Sequence, residues 1–274
     1  MTIKSEDFQL CESITEDEAK LLNDKEWTSQ IKMDGIRIIA VVMDNQTVLV
    51  NRRGHICNFS FEEVVEDMNK MPNGIWDGEV TSICDTFNKV QRRAGTRDRR
   101  KQVELRKEIP VKYFVFDILN IDKTYITSKP LKERIEILTK VFEEFNKKFI
   151  DRKPCVEMLE FKPIKEMLEQ AHKEDREGIV VKNFTGVYEH RRSKNWLKCK
   201  FLLKKDLKMT KYSINPKGIR VENSEGVAVQ IAGEISKEAK RILDTYGEIT
   251  ISIRYLEQIP TGMYRFPAFL EIIK

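Results

Sequence analysis

The chain has 274 residues, of which 41% are hydrophobic and 34% are charged, and its mean hydropathy is −0.47. These values exclude a disordered or fibrous chain, and no run of 18 apolar residues predicts a membrane span. With 49 Lys and Arg against 44 Asp and Glu, the net charge of +5 permits a polyanionic partner without requiring one.

Neither the first residues nor the cysteines indicate export. Residues 1–10 contain Glu6 and Asp7 and no apolar run, so we expect no secretory signal and a cytoplasmic protein. The five cysteines are scattered without a C-x-x-C pair, and the three histidines are far apart. We therefore expect reduced thiols, no zinc site and no Ser-His-Asp triad. A monomer is the default expectation.

The first two hundred residues predict a mixture of strands and helices. Apolar β-branched runs predict a hairpin and three further strands, at Ile38–Val42, Thr47–Val50, Ile75–Val80, Val111–Leu119 and Gly178–Val181. Their nearly continuous apolar character predicts a sheet that is buried on both faces. Ser128 and Pro130 predict a helix start, because apolar residues follow at helical spacing. Shorter helices are predicted at Phe61–Lys70 and Ile164–Lys173.

The pattern changes after Lys200, and residues 206–274 predict short strands with one helix. The strands are predicted at Lys208–Ile214, Gly218–Val221, Val227–Ala232, Ile249–Tyr255 and Ala268–Ile273. Ser236 and Gly247 predict the two caps of the intervening helix. Five such strands are typical of a small OB-type barrel. We therefore predict an α+β chain with domains at 1–203 and 204–274, connected through the polar stretch Leu203–Asp206.

Two segments of the chain are strongly basic. Residues 89–107 hold nine Lys and Arg against two acids, and residues 191–211 hold a single acid. Such a segment is either a solvated surface or a surface for a polyanion, and the sequence leaves both interpretations open.

Six short motifs follow one another in a fixed order. They are Lys32-Met33-Asp34-Gly35-Ile36-Arg37, Asn51-Arg52-Arg53-Gly54, Trp76-Asp77-Gly78-Glu79, Phe114-Val115-Phe116-Asp117, Glu177-Gly178-Ile179-Val180-Val181-Lys182 and Trp196-Leu197-Lys198-Cys199-Lys200. The set resembles the covalent nucleotidyltransferase superfamily of ATP-dependent DNA ligases, RNA ligases and mRNA capping enzymes. The last two motifs resemble the DNA ligase branch, and the small size of the chain resembles the minimal two-domain form of viral and phage ligases. The resemblance implies a nucleotidyltransferase (ATP-grasp-like) domain of antiparallel sheets and helices, followed by an OB-fold barrel.

The resemblance makes Lys32 the nucleophile that attacks the α-phosphate of ATP. An amine attacks only when it is neutral, and nearby cations favour the neutral form. We expect four cations to supply this field and to bind the triphosphate: Arg37, Lys182, Lys198 and Lys200. Asp34 and Gly35 predict a tight turn beside the nucleophile.

The resemblance also assigns the remaining nucleotide contacts. Gln30 and the backbone of Ile31 would read the adenine edge, and Glu79, expected at a strand end, would bind the ribose hydroxyls. Phe116 would stack on adenine, although a core phenylalanine is the competing interpretation. Arg265 would reach the β- and γ-phosphates.

Metal and DNA contacts follow from the same resemblance. Glu177 would hold Mg²⁺, which needs only one or two carboxylates besides phosphate oxygens. Asp34 would lie near this metal or the 3′-hydroxyl of a nick. Arg52 would bind the 5′-phosphate of the nick, and Arg192 would make a further phosphate contact, since guanidinium groups bind two oxygens at once.

The sequence thus predicts an ATP-dependent DNA ligase whose partners are ATP, Mg²⁺ and nicked duplex DNA. A capping guanylyltransferase or an RNA ligase is the alternative within the superfamily. Use of GTP in place of ATP would distinguish the guanylyltransferase from a DNA ligase. A non-catalytic OB-type nucleic-acid-binding protein is the alternative from another class. That protein would have no use for Lys32, Asp34 and Glu79 together.

Overall fold

The computed structural model describes residues 3–83, 87–258 and 261–273. The chain divides into two compact units, residues 1–199 and 200–274. No helix in the described ranges is both long and apolar enough to cross a bilayer.

The first unit contains ten strands and six helices among its described residues. The strands are β1 (Leu10–Ile14), β2 (Trp27–Ile31), β3 (Ile36–Met43), β4 (Gln46–Asn51), β5 (Gly74–Ser82), β6 (Val111–Ile121), β7 (Thr124–Tyr125), β8 (Val156–Met158), β9 (Gly178–Asn183) and β10 (Arg192–Lys200). The helices are α1 (Glu16–Lys20), α2 (Glu62–Met68), α3 (Phe87–Gly95), α4 (Arg99–Glu108), α5 (Leu131–Asn146) and α6 (Ile164–Lys173). The predicted hairpin, strands and helices of this part of the chain are all present.

The larger sheet has the strand order β4-β3-β5-β6-β7, and β8 pairs in parallel with β6. Alternate residues of its strands point to opposite faces. Ile38, Trp76 and Val115 enter a core that also contains apolar residues of α2, α3 and α5. Ile39 and Phe116 enter a second core on the other face, which Trp196 of β10 helps to form. The expectation of a sheet buried on both faces is therefore confirmed for four of the five predicted strands, whereas Gly178–Val181 lies in the smaller sheet.

The smaller sheet has the order β1-β10-β9-β2, and helix α6 lies against β2 and β9. Strand β1 runs parallel to β10, whereas β2 and β9 are antiparallel. Because β2 and β3 are joined only by residues 32–35, the nucleophile motif passes directly from the smaller sheet to the larger one.

Helix α5 is held against β6 by a fully buried ion pair. Arg134 donates to both carboxylate oxygens of Asp117, at Nε–Oδ1 2.8 Å and Nη2–Oδ2 2.9 Å. Its Nη1 also donates to the carbonyls of Lys129 and Gly186. This pair fixes the backbone immediately after Phe116, a candidate site residue.

The second unit has six strands and one helix among its described residues. They are β11 (Leu203–Met209), β12 (Lys211–Asn215), β13 (Gly218–Glu222), β14 (Ala228–Ala232), α7 (Ile235–Tyr246), β15 (Ile249–Tyr255) and β16 (Ala268–Ile272). They form two three-stranded sheets, β11-β15-β16 and β12-β13-β14. Apolar residues of both sheets and of α7 share one core.

Three expectations for this part of the chain differ from the structure. The predicted strand Lys208–Ile214 is two strands in different sheets, divided at Thr210. Ser236 lies inside the first turn of α7, where its hydroxyl donates to the carbonyl of Gly233, and the cap position belongs to Glu234. The stretch Leu203–Asp206 is not a connector, because it pairs with β15. Gly247 caps the helix as expected, with φ +75°.

Candidate active site

Lys32 and Glu177 are brought together by the register of β2 and β9. Ile31 pairs with Ile179, and the amide of Lys32 donates to the carbonyl of Gly178 at 2.9 Å. The Lys32 ammonium therefore lies beside Glu177, with Nζ–Oε2 2.7 Å. The lysine side chain is 21% exposed and the glutamate side chain 5%. The candidate nucleophile thus reaches solvent while a nearly buried carboxylate orients it.

Gly35 is required by a close approach and not by a tight turn. Its φ lies outside the left-handed region, and residues 32–34 have no turn structure. A Cβ at this position would overlap the carbonyl of Val80 and the methyl carbon of Thr81. The expected turn at Asp34 and Gly35 is therefore replaced by tight packing of this segment on β5.

Arg37 is enclosed in a network of its own. Its Nε and Nη2 donate to Asp77 at 3.0 and 2.6 Å, and its Nη1 donates to the carbonyl of Gln9 at 2.5 Å. Tyr188 donates its hydroxyl to Asp77 at 2.7 Å. Burial alone would lower the pKa of Arg37, but the Asp77 carboxylate holds it above its ordinary value. The guanidinium carbon lies 5.4 Å from the Phe116 ring centroid. Arg37 is thus fixed by groups of the protein itself.

Glu79 lies in the middle of β5, opposite Arg37 on β3, and not at a strand end as expected. Burial raises the pKa of this carboxyl to about 8. The charges of Lys32 and Arg37 act against this rise, and those of Asp77 and Asp34 add to it. Five ionisable groups of the motifs are therefore close enough to influence one another.

Lys182 is held among aromatic rings. It is 2% exposed, and its Nζ lies 4.1 Å from the Trp196 ring centroid and 4.5 Å from that of Phe116. The Nζ also donates to the carbonyl of Phe116 at 3.2 Å. Burial lowers the pKa of Lys182 to about 8, although Asp117 and Asp77 oppose the shift. This ammonium is the most strongly desolvated cation beside the candidate stacking residue.

Phe116 is 9% exposed and belongs to the second core of the larger sheet. Its ring makes an edge contact with Trp196, at a centroid distance of 5.8 Å. Phe116 is therefore buried like a core residue, as the competing interpretation expects. It also lies beside Lys182, among the other candidate site residues.

The two residues expected to read the adenine edge lie at the end of β2. Gln30 is 1% exposed, and its Nε2 donates to the carbonyl of Leu159 at 3.0 Å. Ile31 is 8% exposed and adjoins Lys32. Both precede Lys32, the candidate nucleophile, on β2.

The expected DNA contacts lie on exposed segments. Arg52 is exposed in the loop after β4, where the Asn51 side chain accepts hydrogen bonds from the amides of Arg53 and His55. Arg192 is exposed at the start of β10 and donates to the carbonyl of Cys11. Lys198 lies half-buried on the same strand as Arg192, paired with Ser13.

Lys200 and Arg265 belong to the second unit. The Nζ of Lys200 lies 5.1 Å from the Phe266 ring centroid. Arg265 donates to Glu257 at Nη1–Oε1 3.0 Å, and its guanidinium carbon lies 5.2 Å from the same ring. Arg265 thus belongs to a different unit from Lys32, whereas Lys200 is the last residue of β10, where the division between the units falls.

Several residues of the site carry no signal in the sequence. Burial raises the pKa of the Cys11 thiol, and the charges of four site cations oppose this: Arg37, Lys182, Lys198 and Lys32. The thiol therefore lies among these cations, as part of β1. Tyr188 and Gln9 complete the network of Arg37 from segments far away in the sequence. Nothing in their local patterns indicates this position.

The carboxylates of the site suit a magnesium ion in kind. Mg²⁺ prefers oxygen ligands and keeps bound water or phosphate oxygens besides one or two carboxylates. Glu177 and Asp34 offer such oxygens near Lys32 and Glu79. Within the described part of the chain, no group of three or more Asp, Glu, His or Cys could hold a metal by itself.

Comparison with known proteins places the chain in a family. Residues 8–200 match the family model described as the ATP dependent DNA ligase domain. The chain belongs to this family. It is 29% identical to the SPbeta prophage-derived DNA ligase-like protein LigB of Bacillus subtilis over an alignment of 181 residues. This alignment covers 64% of this chain and 62% of LigB. The chain thus spans less than two thirds of this curated relative.

Solved structures share the fold at lower identity. The mycobacterial DNA ligase D complexed with ATP and MES has a TM-score of 0.60 and 17% identity, over 97% of this chain and 94% of that one. A structure of Lig E DNA ligases has a TM-score of 0.67 and 17% identity, over 97% and 98%. The mixed α+β fold therefore matches that of ATP-dependent ligases.

Proposed function

We propose that the protein is an ATP-dependent DNA ligase that seals nicks between a 5′-phosphate and a 3′-hydroxyl in duplex DNA. The observation that carries this proposal is the position of Lys32. It is a partly exposed amine, held 2.7 Å from the nearly buried Glu177 carboxylate, in a chain of the ATP-dependent DNA ligase family.

The reaction begins at the Lys32 amine. After losing its proton, Nζ attacks the α-phosphorus of ATP, so that an N–P bond forms, the bond to the bridging oxygen breaks and pyrophosphate leaves. The AMP then passes to the 5′-phosphate of the nick. The 3′-hydroxyl finally displaces AMP and joins the strand. Glu177 orients the amine at the start of this sequence.

The neighbouring residues hold the nucleotide in this proposal. Phe116 presents its ring to adenine, Glu79 accepts hydrogen bonds from the ribose hydroxyls, and Lys182 and Lys198 bind phosphate oxygens. Gln30 and Ile31 face the base. A preorganised cation in a desolvated site stabilises charge on the α-phosphate more strongly than the same cation in water does.

Arg37 acts through its neighbours. Its four hydrogen bonds to the protein support a positioning role, in which it fixes β3 against Asp77 and the Phe116 ring. This differs from the phosphate contact that the sequence alone suggests.

Glu177 and Asp34 would hold Mg²⁺ together with phosphate oxygens. The ion neutralises phosphate charge when it is bound. Asp34 also stands near the 3′-hydroxyl in this proposal, and Arg52 and Arg192 contact phosphates of the nicked strand.

We further propose that residues 1–203 form the adenylation domain and that residues 204–274 form an OB-fold domain. The protein acts as a monomer, and the OB-fold domain is its second DNA-binding domain. Two three-stranded sheets around one core, with a helix before the fifth strand, support the OB assignment. Arg265, in the proposed OB-fold domain, and Lys200, at the end of β10, would contact the phosphates of ATP during the first step.

The test is sealing of a labelled nicked duplex with ATP and Mg²⁺. We expect a full-length strand with ATP, none with GTP, and none when the nick lacks its 5′-phosphate. Covalent labelling by GTP instead would indicate a guanylyltransferase. Sealing only of nicked RNA would indicate an RNA ligase, and DNA binding without labelling by either nucleotide would indicate a non-catalytic protein.

A further inference from the structure

The cations of the basic segment 89–107 differ in their surroundings in the folded chain. Three arginines are ion-paired within the protein: Arg92 with Glu108, Arg93 with Glu63 and Arg106 with Glu66. Five other cations are exposed: Arg97, Arg99, Arg100, Lys101 and Lys107. None of these five has an ion pair with any residue that the structure describes. Four of them lie on α4 and Arg97 immediately precedes its cap, and we call these five the α4 basic face.

The helix that carries the α4 basic face is firmly anchored on its other side. Gln102 is 4% exposed and donates to the carbonyls of Arg93 and Thr96 at 2.6 and 2.8 Å. Leu105 is 5% exposed, and Asp98 caps the helix by accepting from the amide of Arg100 at 2.8 Å. The exposed cations therefore project from a fixed support.

The geometry of α4 aligns some of these cations. At 100° per residue, Arg100 and Lys107 lie within about 20° of each other and nearly opposite Gln102 and Leu105. Seven residues separate them, or about 10 Å along the axis. Arg99 and Lys101 lie about 100° to either side of this line, and the exposed Glu104 lies between Arg100 and Lys101 around the helix. The basic charges thus form an elongated surface and not a single point.

The stability of α4 does not explain this arrangement. The first turn contains Arg99, Arg100 and Lys101 and no acid. The positive end of the helix dipole lies there, so three cations at this end are unfavourable, and the single carboxylate that faces them is the Asp98 cap. A residue choice that opposes local stability is expected where a surface serves another purpose. A polyanion on this surface would offset both the side-chain charges and the dipole.

We propose that the α4 basic face binds the phosphate backbone of duplex DNA, at a surface separate from the nick-contacting residues Arg52 and Arg192. This inference rests on the proposed DNA ligase function. The contacts are sequence-independent, because side chains that reach only phosphates do not read bases. The face increases the residence of the enzyme on DNA and takes no part in the transfer of AMP.

The test compares two variants with the same change in net charge. Arg99→Gln/Arg100→Gln removes two charges of the face, and Lys132→Gln/Lys140→Gln removes two exposed charges of α5. The binding target is a nicked duplex with a 3′-dideoxynucleotide at the nick, which cannot be sealed. The dissociation constant is measured at several salt concentrations between 0.05 and 0.3 M, a range chosen around the roughly 0.15 M of physiological conditions.

We expect the slope of log Kd against log salt concentration to be smaller in the first variant than in the wild type. The difference should be about 0.9 for each lost phosphate contact. At 0.1 M salt this corresponds to binding weaker by up to about 8-fold per contact, from the same relation. The α5 variant should bind like the wild type. Labelling by ATP in the absence of DNA should be equal in all three proteins, and the melting temperature of the first variant should be equal to or above that of the wild type.

Equal salt slopes for the first variant and the wild type would overturn the proposal, and so would equal losses in the two variants. If the first variant melts lower, Arg97→Gln/Lys107→Gln replaces it, since neither residue lies in the first turn. Absence of labelling and sealing in the wild type would instead refute the ligase function, and this readout is separate from the binding slopes.

Discussion

The ion pair between Arg37 and Asp77 gives the sharpest test of how the site is held together. Arg37→Met removes the cation but keeps much of the side-chain length. Asp77 is 0% exposed and would retain only the Tyr188 hydroxyl, at 2.7 Å, of the three side-chain donors it has now. Removing one partner of a buried ion pair costs about 3–5 kcal/mol, because the other charge stays desolvated.

This loss should appear as a large fall in thermal stability. For a unit of this size, each kcal/mol shifts the melting temperature by about 2–4 °C, so we expect a fall of about 10 °C. Arg37→Met/Asp77→Leu should recover at least half of it, since an apolar pair leaves no buried charge. Lys129→Met is the control, because Lys129 and Glu133 form a pair that is 44% and 50% exposed. It should change the stability by less than about 0.5 kcal/mol.

The measurement is thermal unfolding followed by circular dichroism, with urea unfolding as a second readout. A fall of less than about 2 °C for Arg37→Met, by the same scaling, would refute the reasoning. If such a stable variant also lost labelling by ATP, Arg37 would be a phosphate ligand and not a positioning residue.

Three further predictions concern the same site. Gly35→Ala should abolish labelling by ATP, because its Cβ would displace the segment that carries Lys32 from β5; unchanged labelling would contradict the close approach to Val80. The pKa of Glu79 is raised to about 8, so the folded chain binds more protons than the unfolded chain between pH 4.5 and 8. The folded chain therefore loses stability as the pH rises through this range. Glu79→Gln should flatten the resulting fall in melting temperature. Lys182 has a pKa lowered to about 8, so the unfolded chain binds more protons between pH 8 and 10.5 and stability rises with pH; Lys182→Met should remove this rise, and a parallel pH profile would count against it.

Local patterns predicted most of the first unit. Nearly continuous apolar runs located β3, β5, β6 and β9, because strands that are buried on both faces carry few polar residues. The stripe from Leu131 to Phe145 located α5 for the equivalent reason in a helix. The motifs in turn brought Lys32, Glu79 and Glu177 into one site before any geometry was known.

The remaining features depend on long-range pairing, which local patterns do not contain. The division of 208–214 into two strands follows from Thr210, where the chain passes from one sheet to another. The hydroxyl of Tyr188 meets Asp77 across 111 residues. The partners of Arg37 could not be predicted because a basic residue before an apolar run has the same pattern whether it binds a ligand or a buried carboxylate.

The central claim is that the Lys32 amine carries the adenylyl group. The protein is incubated with ATP labelled at the α-phosphate and Mg²⁺, separated by denaturing electrophoresis and digested to map the label. Lys112→Ala is the matched control, because Lys112 also forms a partly buried pair, with Glu157 at 2.5 Å. We predict that the label lies on Lys32, is absent from Lys32→Ala and Lys32→Arg, and persists in Lys112→Ala. A label on another residue, or full labelling of Lys32→Ala, would contradict the account.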